Sequence, residues 1–185
     1  MTDRIANAQL RGKVMSADEA AALIPAGAQI GFGGFTGSGY PKELPKALAA
    51  RIKAAHEAGE DFTVNAFTGA STAPELDGVL AEVDGMGWRM PYQSDPTLRK
   101  KINDGTIRYT DIHLSHSAQL VAEGFCGRLD FAAVEATRIT EDGSIVPTSS
   151  VGNNKTYLDM AEKVIIEVNS WQSLELEGMH DVWNG

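Results

Sequence analysis

Residues 27–42 read Gly-Ala-Gln-Ile-Gly-Phe-Gly-Gly-Phe-Thr-Gly-Ser-Gly-Tyr-Pro-Lys. A short apolar run over 30–35 breaks into a loop with glycines at 31, 33, 34, 37 and 39, and Pro41 then opens a long helical pattern. Glycine lets a backbone approach its neighbours closely and turn through positive φ. A strand that ends in such a loop just before a helix is where α/β proteins hold small ligands. The nucleotide fingerprints do not fit. In a G-x-G-x-x-G frame the last glycine position holds Thr36 when counted from Gly31 and Lys42 when counted from Gly37. A phosphate P-loop needs Lys after the second glycine, and Gly39 is followed by Tyr40. Two readings stay open: a loop that approaches a ligand, or a tight turn that packs strand against helix.

Outward from this loop, apolar segments of two periods alternate. A capping box, Ser16 with Glu19, opens a short helix over 17–23. Strand 29–35 is followed by an amphipathic helix over 44–58, with Leu44, Leu48, Ile52 and Ala55 at helical spacing. Further strands are expected at 62–67, 88–92, 131–139 and 163–168. Helices are expected at 78–83, 97–103 (Pro96 in its first turn, Ser94 or Asp95 as cap), 115–124 and 154–161. Residues 144–146 pair back as a hairpin through the turn at 141–143. Strand–helix alternation predicts an α/β fold, three layers around a mostly parallel sheet. Four strands end in small or hydroxylated stretches, 33–39, 68–72, 93–97 and 148–154. In a parallel sheet such ends share one edge, so these loops are expected to converge on one cleft.

With 185 residues and no internal linker, the chain reads as one domain over 1–185. Its net charge of −9 leaves no basic footprint for nucleic acid. The cluster Arg99-Lys100-Lys101 reads as a solvated helix end or as an edge that attracts an anion. A single cysteine, Cys126, excludes an intrachain disulfide and fits a reducing cytoplasm; between Phe125 and Gly127 it reads as a small buried hydrophobe. The amino-terminal residues lack the apolar core of a signal peptide, and no apolar stretch is long enough to span a membrane.

His113 and His116 are three apart, but no further ligand sits at a recognisable spacing, so no metal site is expected. There is no G-x-S-x-G elbow. Glu135, inside an apolar strand, is either a carboxylate tuned by burial for acid–base work or a paired structural residue. The stretch 147–154 offers hydroxyls and amides at a helix N-terminus, suited to an anion, to a helix cap built from Asn153 or Asn154, or to both.

Four motifs in order carry a family resemblance: Gly33-Gly-Phe-Thr-Gly-Ser-Gly-Tyr-Pro-Lys42, Phe67-Thr-Gly-Ala-Ser-Thr72, Ile145-Val-Pro-Thr-Ser-Ser-Val-Gly-Asn153 and Glu162-Lys-Val-Ile-Ile-Glu-Val-Asn169. Together they resemble the class I CoA-transferases, nearest the acetyl-CoA hydrolase/transferase branch that includes succinyl-CoA:acetate CoA-transferases. The resemblance covers the whole chain but only the amino-terminal half of the family's two-lobed enzymes. It implies coenzyme A as a substrate and no tightly bound cofactor. The implied partners are acyl-CoA, short-chain carboxylates and a carboxyl-terminal half, in the same chain or a separate subunit, with homo-oligomers when complete. It also implies a glutamate nucleophile that attacks the acyl-CoA thioester and passes through an acyl anhydride to a glutamyl-CoA thioester. That glutamate belongs to the second half, so no catalytic residue is expected in this chain, and a truncated piece is expected to expose an apolar edge. The first half walls the acyl and carboxylate site. On this resemblance the substrate-facing candidates are Gly33, Gly34, Phe35, Thr36, Gly37, Ser71 and Ser94, with Ser94 where close relatives often carry threonine.

Overall fold

Strands and helices alternate almost throughout the computed structural model, which describes residues 2–180. The strands are β1 (Gln29–Phe32), β2 (Val64–Thr68), β3 (Met86–Met90), β4 (Arg108–Tyr109), β5 (Leu129–Ile139), β6 (Ile145–Pro147) and β7 (Ala161–Val168). The helices are α1 (Ala8–Arg11), α2 (Ala17–Ala22), α3 (Glu43–Glu57), α4 (Val79–Glu82), α5 (Pro96–Asn103), α6 (Leu114–Ala122) and α7 (Asn154–Met160). One seven-stranded sheet has the order β4-β3-β2-β1-β5-β6, and β7 also pairs with β5. All pairings are parallel except β5–β6, the expected hairpin. β5 carries β7 along Leu129 to Glu135 and β6 along its last residues.

Residue alternation sorts the two helical layers. Ile30, Phe32, Val64, Ala66, Phe131 and Ala133 point into a core shared with Leu44, Leu48 and Ile52 of α3 and with Leu76 and Leu80. Phe67, Met90 and Ala132 point to the opposite face, against Val121 of α6 and Tyr157 of α7. Gly31 makes this second layer possible. A Cβ there would overlap the Tyr157 ring, so the helix lies flat on the strand only because the side chain is missing. Tyr157 is fully buried and its hydroxyl donates to Thr68 O at 2.9 Å; burial pushes its phenol far above the ordinary range.

Local chemistry explains the element ends. Ser16 and Glu19 form the reciprocal capping box of α2. α3 has no cap from its own Lys42. Its first amides are satisfied across the fold instead: Glu167 of β7 accepts from the backbone N–H groups of Lys42 (2.8 Å), Glu43 and Leu44 (both 3.0 Å). A carboxylate there also complements the positive end of the helix dipole. Asp95, not Ser94, caps α5, accepting from Leu98 N at 2.9 Å with Pro96 in the first turn.

Several expectations need correction. β1 stops at Phe32 rather than residue 35, because Gly34 turns out of the ladder at φ 91°. β3 runs over Met86–Met90, two residues earlier than expected, and Pro91, with no N–H to donate, ends it after a cis peptide bond. The helix expected at 78–83 is an α-turn over Val79–Glu82 preceded by a π-helical turn, Pro74–Gly78, that no periodicity announced. β4 is too short to leave a pattern. Neither Asn153 nor Asn154 caps α7 with its side chain. Asn153 donates to Ser117 Oγ at 2.9 Å, and Asn154 accepts from Gly34 N at 3.0 Å. α6 starts at Leu114, one residue earlier than expected, so Ser115 lies inside it, where its hydroxyl meets His113 Nδ1 at 2.8 Å. Glu135 is a paired residue: 1% exposed, it accepts from Lys42 Nζ and Asn169 Nδ2 at 2.9 Å and from Thr148 Oγ1 at 2.5 Å.

Candidate functional site at the carboxyl ends of the strands

The chain steps from β1 through β2 and β3 to β4 in one direction, then returns to place β5 on the other side of β1. Strand order therefore reverses between β1 and β5, and a doubly wound sheet opens a crevice beyond such a point. In this molecule the segment 148–154 fills it. Asn154 Oδ1 accepts from Gly34 N, Ser150 Oγ accepts from Phe35 N at 2.9 Å, and Gly152 bridges Gly34. Ser150 Oγ donates back to Ser38 O at 2.6 Å, and the hydroxyls of Ser38 and Ser149 meet at 2.7 Å.

This packing divides the glycine loop. Gly33 and Gly34 are buried, and a Cβ on Gly33 would run into Asn154 while one on Gly34 would lie 2.6 Å from Tyr40 N. Gly37 has open space around its missing Cβ. Phe35, Thr36 and Gly37 are exposed, with Thr36 at φ 50°. So the loop's close approaches are largely to its own chain, and its exposed tip is the part that faces outward.

The loop after β2 reaches the glycine loop directly, since a Cβ on Gly69 would overlap the carbonyl oxygen of Gly34. It continues through Ala70, at φ 131°, to Ser71 and Thr72. From the end of β3 comes Ser94. Its backbone N–H donates to Ser71 Oγ at 3.1 Å, and the two hydroxyls are in direct hydrogen-bond contact. Ser71 is buried and Ser94 exposed, so the couple runs from the interior to the surface. Thr72 Oγ1 and Gln93 Oε1, each next to one of these serines, are buried without a hydrogen-bond partner. The structure thus brings Ser71 and Ser94 together. Phe35, Thr36 and Gly37 sit on the neighbouring loop, and the hydrogen bonds of Phe35 and Thr36 go to Ser150, Ser38 and Phe35 itself rather than to the serine couple.

Beneath the couple lies an ion pair that sequence reading missed. Arg89 of β3 and Asp77 of the π-helical turn are both fully buried. The guanidinium forks onto the carboxylate, Nε to Oδ1 at 2.8 Å and Nη2 to Oδ2 at 2.9 Å. The signal available was an arginine inside an otherwise apolar strand, Met86-Gly-Trp-Arg-Met90. Elsewhere the polar chemistry is muted. Burial pushes the Cys126 thiol up, and its Sγ rests 3.8 Å from Met90 Sδ. The His113 and His116 rings are 5.8 Å apart, and among the described residues no group of three or more His, Cys, Asp or Glu gathers to hold a metal. No described helix is long and apolar enough to cross a membrane.

The profile of the acetyl-CoA hydrolase/transferase N-terminal domain matches residues 1–183. The chain belongs to the acetyl-CoA hydrolase/transferase family. Among its curated relatives, the succinyl-CoA:acetate CoA-transferase of Clostridium kluyveri is 46% identical over 97% of this chain and 33% of that protein. The propanoyl-CoA:succinate CoA transferase of Escherichia coli is 42% identical over 91% of this chain and 34% of that protein. The acetyl-CoA hydrolase of Kluyveromyces lactis is 39% identical over 98% of this chain and 36% of that protein. The chain therefore spans about a third of the length of these relatives. Among solved structures, RipA from Yersinia pestis superimposes with a TM-score of 0.64 at 21% identity, over 85% of this chain and 37% of that one. Glutaconate coenzyme A-transferase from Acidaminococcus fermentans gives a TM-score of 0.63 at 12% identity, over 83% and 68%. At such identities they establish the shared fold alone.

Proposed function

We propose that this chain is the amino-terminal domain of an enzyme that moves coenzyme A between a short-chain acyl-CoA and a free carboxylate, with acetate and succinate as the acids. Its part is to shape the acyl and carboxylate site. The observation that carries this reading is the Ser71–Ser94 couple, set beside the exposed tip of the glycine loop at the carboxyl ends of parallel strands in a member of this family. The Ser71 hydroxyl donates to Thr72 O at 3.0 Å, so the solvent-open Ser94 hydroxyl is the one left to donate to a carboxylate. The loop tip, Phe35 to Gly37, forms the adjoining wall.

The nucleophile is a glutamate supplied by a carboxyl-terminal domain, whether on the same polypeptide or on a separate subunit. Glu135 does not take that role, because Lys42, Thr148 and Asn169 occupy its carboxylate. Acyl-CoA is bound as substrate with no resident cofactor, in a cytoplasmic homo-oligomer. A second reading, hydrolysis of acyl-CoA, is favoured by the acetyl-CoA hydrolase relatives. The two differ in whether water reaches the activated acyl group.

The test is a steady-state assay of the chain assembled with a complementary carboxyl-terminal domain. CoA transfer to acetate or succinate is expected to exceed thioester hydrolysis, with no turnover by the purified chain alone. In the assembly, Ser94→Ala is expected to raise the acceptor KM by about tenfold, the cost of one hydrogen bond to a charged group. CoA transfer catalysed by the purified chain alone contradicts the reading, and hydrolysis unaffected by added acid selects the hydrolase.

A further inference from the structure

The Arg89–Asp77 pair makes its remaining hydrogen bonds to a small set of backbone groups. Arg89 Nη2 donates to Ala70 O at 3.1 Å and Nη1 to Met90 O at 2.6 Å. Asp77 Oδ2 accepts from Thr72 N at 3.2 Å. Ala70 and Thr72 flank Ser71, and Met90 is the last residue of β3 before the turn to Ser94. The pair therefore holds both strand exits whose serines touch, and it fixes them from below, at full burial. An ion pair serving stability alone has no need of this arrangement, since apolar residues of similar volume often stabilise as well or better. What apolar residues cannot do is hold two carbonyls and an amide at fixed positions.

We infer that Arg89 and Asp77 are positioning residues for the carboxylate subsite: through Ala70, Thr72 and Met90 they set the register in which Ser71 Oγ meets Ser94. The inference rests on the functional reading above for its catalytic consequence, but its structural content stands apart from it. The Ser94 N–H to Ser71 Oγ bond is 3.1 Å long, so a relative shift of about 1 Å between the two exits breaks it. Both side chains are fully buried, so they act through the backbone groups they hold. The expected signature is weakened use of the free acid with binding of coenzyme A itself preserved, because unacylated coenzyme A does not occupy the carboxylate subsite.

The experiment uses the chain assembled with its complementary domain, as wild type, Arg89→Lys and Asp77→Asn. Arg89→Lys keeps the charge but loses the fork. Asp77→Asn keeps the shape but puts an amide where an acceptor is needed. In both, the KM for acetate is expected to rise about tenfold while the dissociation constant of free coenzyme A stays within about twofold. Hydrogen exchange at the Ser94 amide is expected to speed up about tenfold, with α3 amides unchanged. Folded variants with wild-type acceptor KM and Ser94 exchange would overturn the inference, as would equal losses in acetate and coenzyme A binding. Loss of cooperative unfolding in both variants would assign the pair to fold stability and overturn it too. If the wild-type assembly moves no coenzyme A, the functional reading is what fails, and exchange at Ser94 alone decides the positioning role.

Discussion

Gly34 and Gly37 lie three apart in one loop and do different work. Gly34 sits at φ 91°, and a Cβ there would press on the Tyr40 amide and the Gly39 and Ser38 backbone. Gly37 has a permissive φ and empty space around it. Gly34→Ala is therefore expected to cost more than about 2 kcal/mol of stability, and Gly37→Ala less than about 1 kcal/mol, in urea unfolding of otherwise identical proteins. Equal costs would mean that Gly34 is not held at positive φ against Ser38, Gly39 and Tyr40 as described. The sequence displayed both glycines alike. It offered no means of telling which face another strand exit and which face solvent, because the neighbour, Asn154, is 120 residues away. Ser71 and Ser94 were legible as residues of strand exits. Their mutual contact was not, since it depends on the register of β2 against β3 and on the buried pair beneath them.

Elements with a long period announced themselves. α3 repeats its apolar residues over 15 residues; of the four that its spacing picks out, Leu44, Leu48 and Ile52 are buried and Ala55 is half-buried. β5 is 11 residues of nearly continuous burial, the pattern of a central strand covered on both faces. β4, with two residues, and the π-helical turn had too few residues to set a period. The start of α3 shows a different limit. Pro41 marked the approach to the helix, but its cap comes from Glu167 on the last strand, which local capping rules do not see. Glu167→Ala strands three amides and is expected to cost about 1–2 kcal/mol, with Glu167→Gln intermediate because one oxygen remains. A change within about 0.5 kcal/mol, the ordinary range of a surface substitution, would show that water satisfies the helix end equally well.

At the scale of the molecule, the parallel sheet gathers the ends of β1, β2 and β3 along one edge, while the switch-point crevice is taken up by 148–154. The open ground is thereby displaced from the crevice to the Ser71–Ser94 couple and the loop tip at Phe35 to Gly37. The α/β alternation with a mostly parallel sheet and the order of the four motifs were readable from the chain, while the strand order was not. The plugging of the crevice was not, because it joins the Gly34 and Phe35 amides to side chains 120 and 115 residues away. In the function proposed above, this domain forms a wall of the acyl and carboxylate site while the nucleophile is supplied from outside it. Peptide mass spectrometry after acetyl-CoA treatment of the chain with its complementary domain decides the point. A coenzyme A thioester on a glutamate of the complementary domain, with none on this chain, is the predicted result; a thioester on Glu135 or any other glutamate of this chain would contradict it.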